Sequence, residues 1–417
     1  MRLRDAMPQA GLRQGVPLLV TGVVVLAINL RAAITGLPPV FPELQSALHV
    51  SSSTLALLAA LPVLCFGVFS GVGAPLSRRL GEEWALGLAL VLLSVGLVLR
   101  GLSPSVLLFP GTIVAGAAIA LMNVLLPSLV KRRAPERAGW LIGLYLLMLT
   151  AGAVVAAVIA VPVFNALAGG HPGGSAAVRV SLSLWAGPAL LAAVLWLPQL
   201  RYRTRPESVP AGARPALPRS RSGALALSRS RLAWQVTLFM GLQSMSYYAT
   251  LSWFPTMFRD RGASAVDAGN LLALMNLGNA ATALLVPVIA QRVADQRWLA
   301  AVANIATGVG LVGAFFVPSG AAIGVMMLLG LGQGATLGLG IFYTMARAPD
   351  PVTAASLSAF AQGIGYLIAS VGPLLIGFLH SVTGVWTVPG LVLLAIVAGQ
   401  LITGWLGGRA MTVPGRC

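Results

Sequence analysis

Acidic residues are scarce: the 417-residue chain carries 10 Asp and Glu against 27 Lys and Arg, and charged residues make up 9% of it. That excludes an ordinary soluble domain, in which about a quarter of the residues are charged. Two cysteines, Cys65 and Cys417, and three histidines are present, which excludes a disulfide framework. They leave no His/Cys/Asp set with metal-ligand spacing. There is no glycine-rich phosphate loop, no deep pair of carboxylates and no soluble signalling segment, so neither an enzyme, a cofactor site nor a metal site is expected. What fills the chain is apolar: 57% of it is hydrophobic and its mean hydropathy is +0.89.

A helix needs about 20 apolar residues to cross a hydrocarbon core. Runs of that kind, separated by polar or Gly/Pro breaks, place spans at 16–41, 54–76, 84–101, 105–130, 138–165, 178–197, 233–257, 268–290, 298–317, 321–345, 353–379 and 385–407. The first run follows Arg2, Arg4 and Arg13 but is too long for a signal peptide and lacks its small-residue cleavage site, so it reads as an uncleaved first span. The stretch from Gln199 to Arg231, rich in Arg, Pro, Ser and Ala, cannot bury a core and reads as a linker. It divides the chain into an N-terminal half, 1–198, and a C-terminal half, 232–417.

A net charge of +17 would point to nucleic acid in a soluble protein, but here it follows the alternation of the spans. One side collects 22 of the 27 cations, among them Arg78, Arg79, Lys131, Arg132, Arg133, Arg292, Arg297, Arg347 and the basic linker. The other side holds Arg100, Arg179, Arg259 and Arg261. This asymmetry predicts a multi-pass membrane protein with both termini in the cytoplasm, and no nucleic-acid partner.

The halves resemble each other at one fixed offset along the chain: Leu57–Leu61 matches Leu271–Met275, Arg78 matches Arg292, and Trp84 matches Trp298. Most specifically, Arg133-Ala-Pro-Glu136 matches Arg347-Ala-Pro-Asp350. Shared spacing over so many positions implies an all-α membrane protein of twelve helices in two pseudo-symmetric six-helix halves, related by an axis along the membrane normal. Substrate then binds between the halves near the midplane.

Arg31 stands alone inside the first span, and no acidic residue lies in any apolar run to neutralise it. A charge at that depth costs roughly 2.5–3.5 kcal/mol and faces a protein interior or an aqueous cavity. Three readings are open. The guanidinium contacts a small anionic solute, caps carbonyls of a neighbouring helix, or snorkels to the headgroups; the apolar run continuing to Phe41 weighs against the last. A forked guanidinium suits planar oxyanions, and the solute reading is favoured. Asn29 and Thr35 lie close to it. Gln243, Tyr247 and Tyr248 form a polar-aromatic face on the seventh span, while Asn123, Asn276, Asn279, Gln333, Gln362 and Tyr366 are the remaining polar candidates. Tyr145 and Met148 occupy the corresponding neighbourhood of the fifth span. Inter-helix hydrogen bonding competes with a binding role for each amide.

At particular segments the chain resembles the cyanate and 2-nitroimidazole transporter family of the major facilitator superfamily. They are Leu30-Arg31-Ala-Ala-Ile-Thr-Gly-Leu-Pro-Pro39, Pro127-Ser-Leu-Val-Lys-Arg-Arg133, Gly262-Ala-Ser264 with Leu271–Met275, and Ala361-Gln-Gly-Ile-Gly365. The resemblance covers both halves. It implies a secondary carrier of a bacterial inner membrane for a compact, electron-rich solute, working by rocking of the halves, with spans 1, 4, 7 and 10 lining the cavity. The superfamily's usual loop after the second span has Asp-Arg-x-Gly followed by basic residues. Here Arg78-Arg79-Leu-Gly81-Glu82-Glu83 inverts that charge pattern. Pairing of Arg78 or Arg79 with Glu82, Glu83 or Asp350 is the expected gate, with Arg133 and Arg347 beside it, while Arg100 is expected to meet Glu43. With no carboxylate at depth, either the carrier is a uniporter or exchanger, which is favoured, or Glu43 or the substrate itself carries a coupled proton; a monomer is expected.

Overall fold

A computed structural model describes residues 16–168, 175–202, 227–316 and 322–413. The arginines near the N-terminus, His171, most of the linker and Cys417 lie outside the described residues. Among the described residues twelve spans are seen: α1 (Val16–Thr35), α2 (Ser52–Phe69), α3 (Glu82–Leu102), α4 (Pro104–Arg133), α5 (Ala138–Ala168), α6 in two pieces, α6a (Ser175–Ser183) and α6b (Ala186–Trp196), α7 (Arg231–Asp260), α8 (Ala265–Ala290), α9 (Arg297–Phe316), α10 (Ala322–Ala346), α11 (Pro351–Thr383) and α12 (Thr387–Gly407).

Two spans depart from a continuous helix. The first stops at Thr35 because Gly36, Pro38 and Pro39 break the hydrogen-bond ladder, and it resumes as Phe41–Leu48. Trp185, at the break in α6, packs against Gly36, where a side chain would collide with the indole. Eleven spans are apolar enough to cross a membrane by length and composition. α7 is the exception: Gln243, Ser244, Ser246, Tyr247, Tyr248, Thr250 and Ser252 lie in its middle and are buried. A span enclosed by other helices faces protein rather than lipid, so it tolerates these groups where they find partners.

The packing repeats itself. α1 lies on α5 and α6 as α7 lies on α11 and α12, and α3 lies on α4 and α6 as α9 lies on α10 and α12. The halves meet along α2 with α11 and α5 with α8, again a symmetric pair. Lipid tails are as apolar as leucine, so close backbone approach must supply the association energy. Glycines permit it: Gly152 of α5 sits against the Ile28 carbonyl of α1, and Gly330 of α10 against the Met275 carbonyl of α8.

The end of the bundle where α4 and α10 finish is basic, and each half is tied there by an arginine. Arg133 donates to Gln199 Oε1 at 2.6 Å, lies 3.7 Å from Glu83 and stacks over the Tyr202 ring at 4.1 Å. Gln199 donates on to the Leu18 carbonyl at 2.7 Å, so α1, α3, α4 and α6 are joined. Arg347, the counterpart of Arg133 in the repeat, donates to the carbonyls of Gly407 (2.9 Å) and Gly408 (3.1 Å) and to Gln296. Glu82 accepts from Ser128 (2.7 Å) and pairs with Arg132 (3.2 Å). The expected pairing of Arg78 or Arg79 with Glu82 or Glu83 is therefore replaced by partners from α4. Arg78 and Arg79 lie exposed, and the contacts given above tie Arg133 to its own half and the start of the linker and Arg347 to its own half. Asp350 caps α11, accepting from the backbone of Val352 and Thr353 at 2.9 Å.

A leucine at Gly152 would drive α5 off α1 and cost about 1–3 kcal/mol or more. Gly152→Leu is expected to lower the unfolding temperature of purified protein by several degrees, whereas Gly187→Ala, where an added Cβ meets nothing within 4 Å, is expected to leave it unchanged.

Candidate functional site

Arg31 emerges about halfway along the first span into a cavity between the halves. The cavity has a volume of ≈ 50 Å³ and is lined by Arg31 from α1, Leu146, Leu149, Thr150 and Ala153 from α5, Tyr247 from α7, Asn276, Asn279, Ala280, Ala283 and Leu284 from α8, and Leu337 from α10. No carboxylate is among these residues. The guanidinium donates to the Tyr248 hydroxyl at 3.4 Å, a long bond. Its carbon lies 5.4 Å from the ring centroid of Tyr247 and 5.6 Å from that of Tyr248. Such contacts contribute about 0.5–2 kcal/mol each, but a phenol is neutral and leaves the positive charge uncompensated.

The aromatic groups around Arg31 are held in place by amides. Tyr247 donates to Asn276 Oδ1 at 2.8 Å, and Asn276 donates to the Leu272 carbonyl at 2.9 Å. Tyr145 donates to Asn123 at 3.0 Å, linking α5 to α4. Tyr366 of α11 meets Phe66 of α2 edge-on at 5.5 Å, and Phe66 meets Tyr248 at 6.4 Å. Beyond Tyr248, away from the basic end, lies a space of ≈ 10 Å³ bounded by Pro38, Phe41, Leu58, Pro62 and Leu251. Past it the bundle is closed. Phe41 packs on Trp253 at 6.1 Å, Trp253 donates to the Pro373 carbonyl at 2.9 Å, and Arg259 Nη1 lies 2.7 Å from both carboxylate oxygens of Glu43. This pair crosses between the halves. Glu43 thus takes Arg259, not the Arg100 expected from the sequence.

Of the residues singled out in the sequence, Arg31, Tyr247, Asn276 and Asn279 line the cavity together, with Tyr248, Asn123 and Tyr366 behind them. The others do not join it. Asn29 donates to the carbonyls of Val25 (2.8 Å) and Pro188 (3.3 Å), fastening α1 to α6. Gln333 donates to Thr250 at 3.0 Å between α10 and α7. Gln243 bonds Ser244 at 2.6 Å and Gln362 bonds Ser358 at 2.8 Å, each within its own helix. Thr35 is fully buried outside the cavity wall. Missed were Leu146, Leu149, Thr150 and Ala153, whose i, i+3, i+4, i+7 spacing marks one face of α5. Among the described residues no group of three metal-ligating side chains comes together.

A bundle of membrane-crossing helices in two like halves, with a cavity between them, defines a membrane transporter. The chain belongs to the Major Facilitator Superfamily, whose family model matches residues 23–373, and within it to the cyanate and 2-nitroimidazole transporter family. It is 39% identical over 397 residues to the 2-nitroimidazole transporter of Escherichia coli, covering 94% of this chain and 95% of that one. It is 30% identical over 362 residues to the cyanate transport protein of Escherichia coli, covering 87% and 89%. Among solved structures, a D-xylose–proton symporter shares the fold with a TM-score of 0.78 at 15% identity, covering 95% of this chain and 98% of that one.

Because Tyr247 and Asn276 share one bond, Tyr247→Phe and Asn276→Ala are each expected to cost about 1 kcal/mol. Their combination should cost clearly less than the sum, as measured by a double-mutant cycle of thermal unfolding in detergent.

Proposed function

We propose that the chain is a secondary carrier that moves a compact anionic or strongly polarised solute across a bacterial inner membrane by alternating access. The observation that carries this reading is the Arg31 guanidinium on the cavity wall, touched by phenols and by no carboxylate. A charge so placed gains most from a counter-charge brought in by the solute, which offsets its desolvation. A volume of ≈ 50 Å³, at about 10–15 Å³ per water, suits a solute of a few heavy atoms. The relatives fit a compact solute: cyanate is a small anion, and 2-nitroimidazole is a small ring with polarised nitro oxygens.

In this reading Arg31, Tyr247, Tyr248, Asn276 and Asn279 contact the solute, with Asn123 and Tyr366 supporting them. The solute displaces the long bond from Arg31 to Tyr248 and draws α1 of one half toward α7 and α8 of the other. The halves are residues 1–198 and 232–417, joined by 199–231. The basic end, with both termini, lies in the cytoplasm, as the charge asymmetry of the sequence supports. The carrier works as a monomer. Glu43 and Arg259 latch the periplasmic side, and outward opening breaks that pair. A second reading, export of compact neutral drugs or nitroaromatic compounds with Arg31 structural, is supported by the guanidinium's contacts with Tyr247 and Tyr248.

Binding decides between them. Charge-assisted bonds contribute about 1.5–3 kcal/mol, so Arg31→Ala is expected to weaken binding of cyanate or a small carboxylate by about 10–100-fold. Arg31→Lys should recover only part, because the ammonium lacks the planar fork. If both variants bind as wild type does, the anion reading is wrong. The latch is tested separately with Leu37→Cys in a background free of Cys65 and Cys417. An ion pair contributing about 1 kcal/mol means that Glu43→Gln should raise labelling by an impermeant periplasmic thiol reagent about fivefold. The exchanged pair, Glu43→Arg with Arg259→Glu, should restore protection.

A further inference from the structure

Arg100 is a second buried guanidinium, and the carrier mechanism makes no use of it. It occupies the last turn of α3 at the end of the bundle remote from the basic one, and is 2% exposed. Its Nε and Nη2 are enclosed and have no hydrogen-bond partner among the described residues. The surroundings are built to hold the chain there. A Cβ at Gly111 of α4 would come within 3.0 Å of Arg100 Cγ, and one at Gly101 within 2.7 Å of Ser183 Cβ on α6a. Small residues of α3, α4 and α6a thus pack round the stem, and among the described residues the charge has no counter-ion. Glu43, the acid nearest in expectation, is engaged by Arg259, and Arg261 donates to the Ala314 carbonyl. Among the described residues the remaining arginine at this end is Arg179, exposed on α6a, whose carbonyl faces Gly101.

A buried charge without a partner costs several kcal/mol, and a well-packed apolar side chain of similar volume would be as good or better for packing alone. The position therefore points to a partner outside the chain. α3 ends at Leu102, two residues on, and α4 begins at Pro104, so the turn joining two spans lies where the apolar layer gives way to headgroups. Arginine matches phosphate oxygens with parallel donors, and long basic side chains reach such a boundary by snorkelling. We propose that Arg100, assisted by Arg179, binds a phosphate group at the outer ends of α3, α4 and α6a. That group belongs to a phospholipid of the outer leaflet or to a free phosphate ion. The site lies in one half, away from the central cavity, and does not depend on what the carrier transports.

The test is thermal unfolding of the full chain, purified and delipidated in neutral detergent, with three additions: phosphatidylglycerol, diacylglycerol lacking phosphate, and inorganic phosphate. Phosphatidylglycerol is expected to raise the unfolding temperature of wild type by about 3–5 °C and diacylglycerol not at all. Arg100→Leu should fold at least as stably without lipid and lose the rise. Arg179→Gln, at an exposed position, should keep the fold and show a reduced rise. Inorganic phosphate matching the lipid in an Arg100-dependent way identifies a free ion as the ligand; no effect of inorganic phosphate identifies the lipid. An equal rise in wild type and both variants, or no rise with any phosphate source, overturns the proposal.

Discussion

Every charge placed within the apolar layer must find compensation inside the protein or bring it from outside, and this condition organises the molecule. The acids among the described residues stand at helix ends, so partners for buried cations are available there and nowhere deeper. Arg133 and Arg347 meet the condition with carbonyls, amides and Glu83 at the basic end. Arg259 meets it with Glu43 at the other end. Arg31 does not meet it with any carboxylate. Its phenol contacts orient the guanidinium without neutralising it.

The same apolar surroundings decide how the helices associate. With no hydrophobic reward for leaving lipid, contact comes from backbones drawn close over glycine and from hydrogen bonds between spans. Both devices recur at equivalent places in the two halves, and the arginine ties at the basic end recur at the offset of the sequence repeat. The repeat fails in the middle. At that same offset Met245 stands where the first half has Arg31, and Ala33 and Ile34 stand where the second half has Tyr247 and Tyr248. The scaffold kept its symmetry while the cavity lost it, because a single guanidinium faced by two phenols requires unlike helices on its two sides.

Much of this was legible along the chain. Span positions agree with the helices to within a few residues except at the ends of the first two, where Gly36 with Pro38 and Pro39 stops α1 at Thr35 and α2 ends at Phe69. α7 was recognisable through its apolar flanks even though its centre is polar. The amides were harder. Asn29, Gln243, Gln333 and Gln362 look like Asn276 and Asn279 in a linear string, because an amide that fastens two helices and one that lines a cavity have the same chemistry. Only the rotation of each helix separates them, as Asn29 turning to Pro188 of α6 illustrates. The pairing of Glu43 escaped for a related reason: Arg100 and Arg259 end their helices at the same level, and choosing between them needs the lateral arrangement of helices.

Hydropathy, spacing and the lack of deep carboxylates were enough to set the membrane environment, the twelve spans, the repeat, the sidedness of charge and the isolation of Arg31. Each of these acts locally along the chain and needs no knowledge of which helices become neighbours. Packing of the bundle settled the rest: which polar side chains turn inward, that phenols rather than acids surround Arg31, that Glu43 closes on Arg259, and that Arg100 is left without a partner. Those outcomes depend on which faces of distant helices meet, and side-chain volume and backbone approach across the bundle govern that meeting.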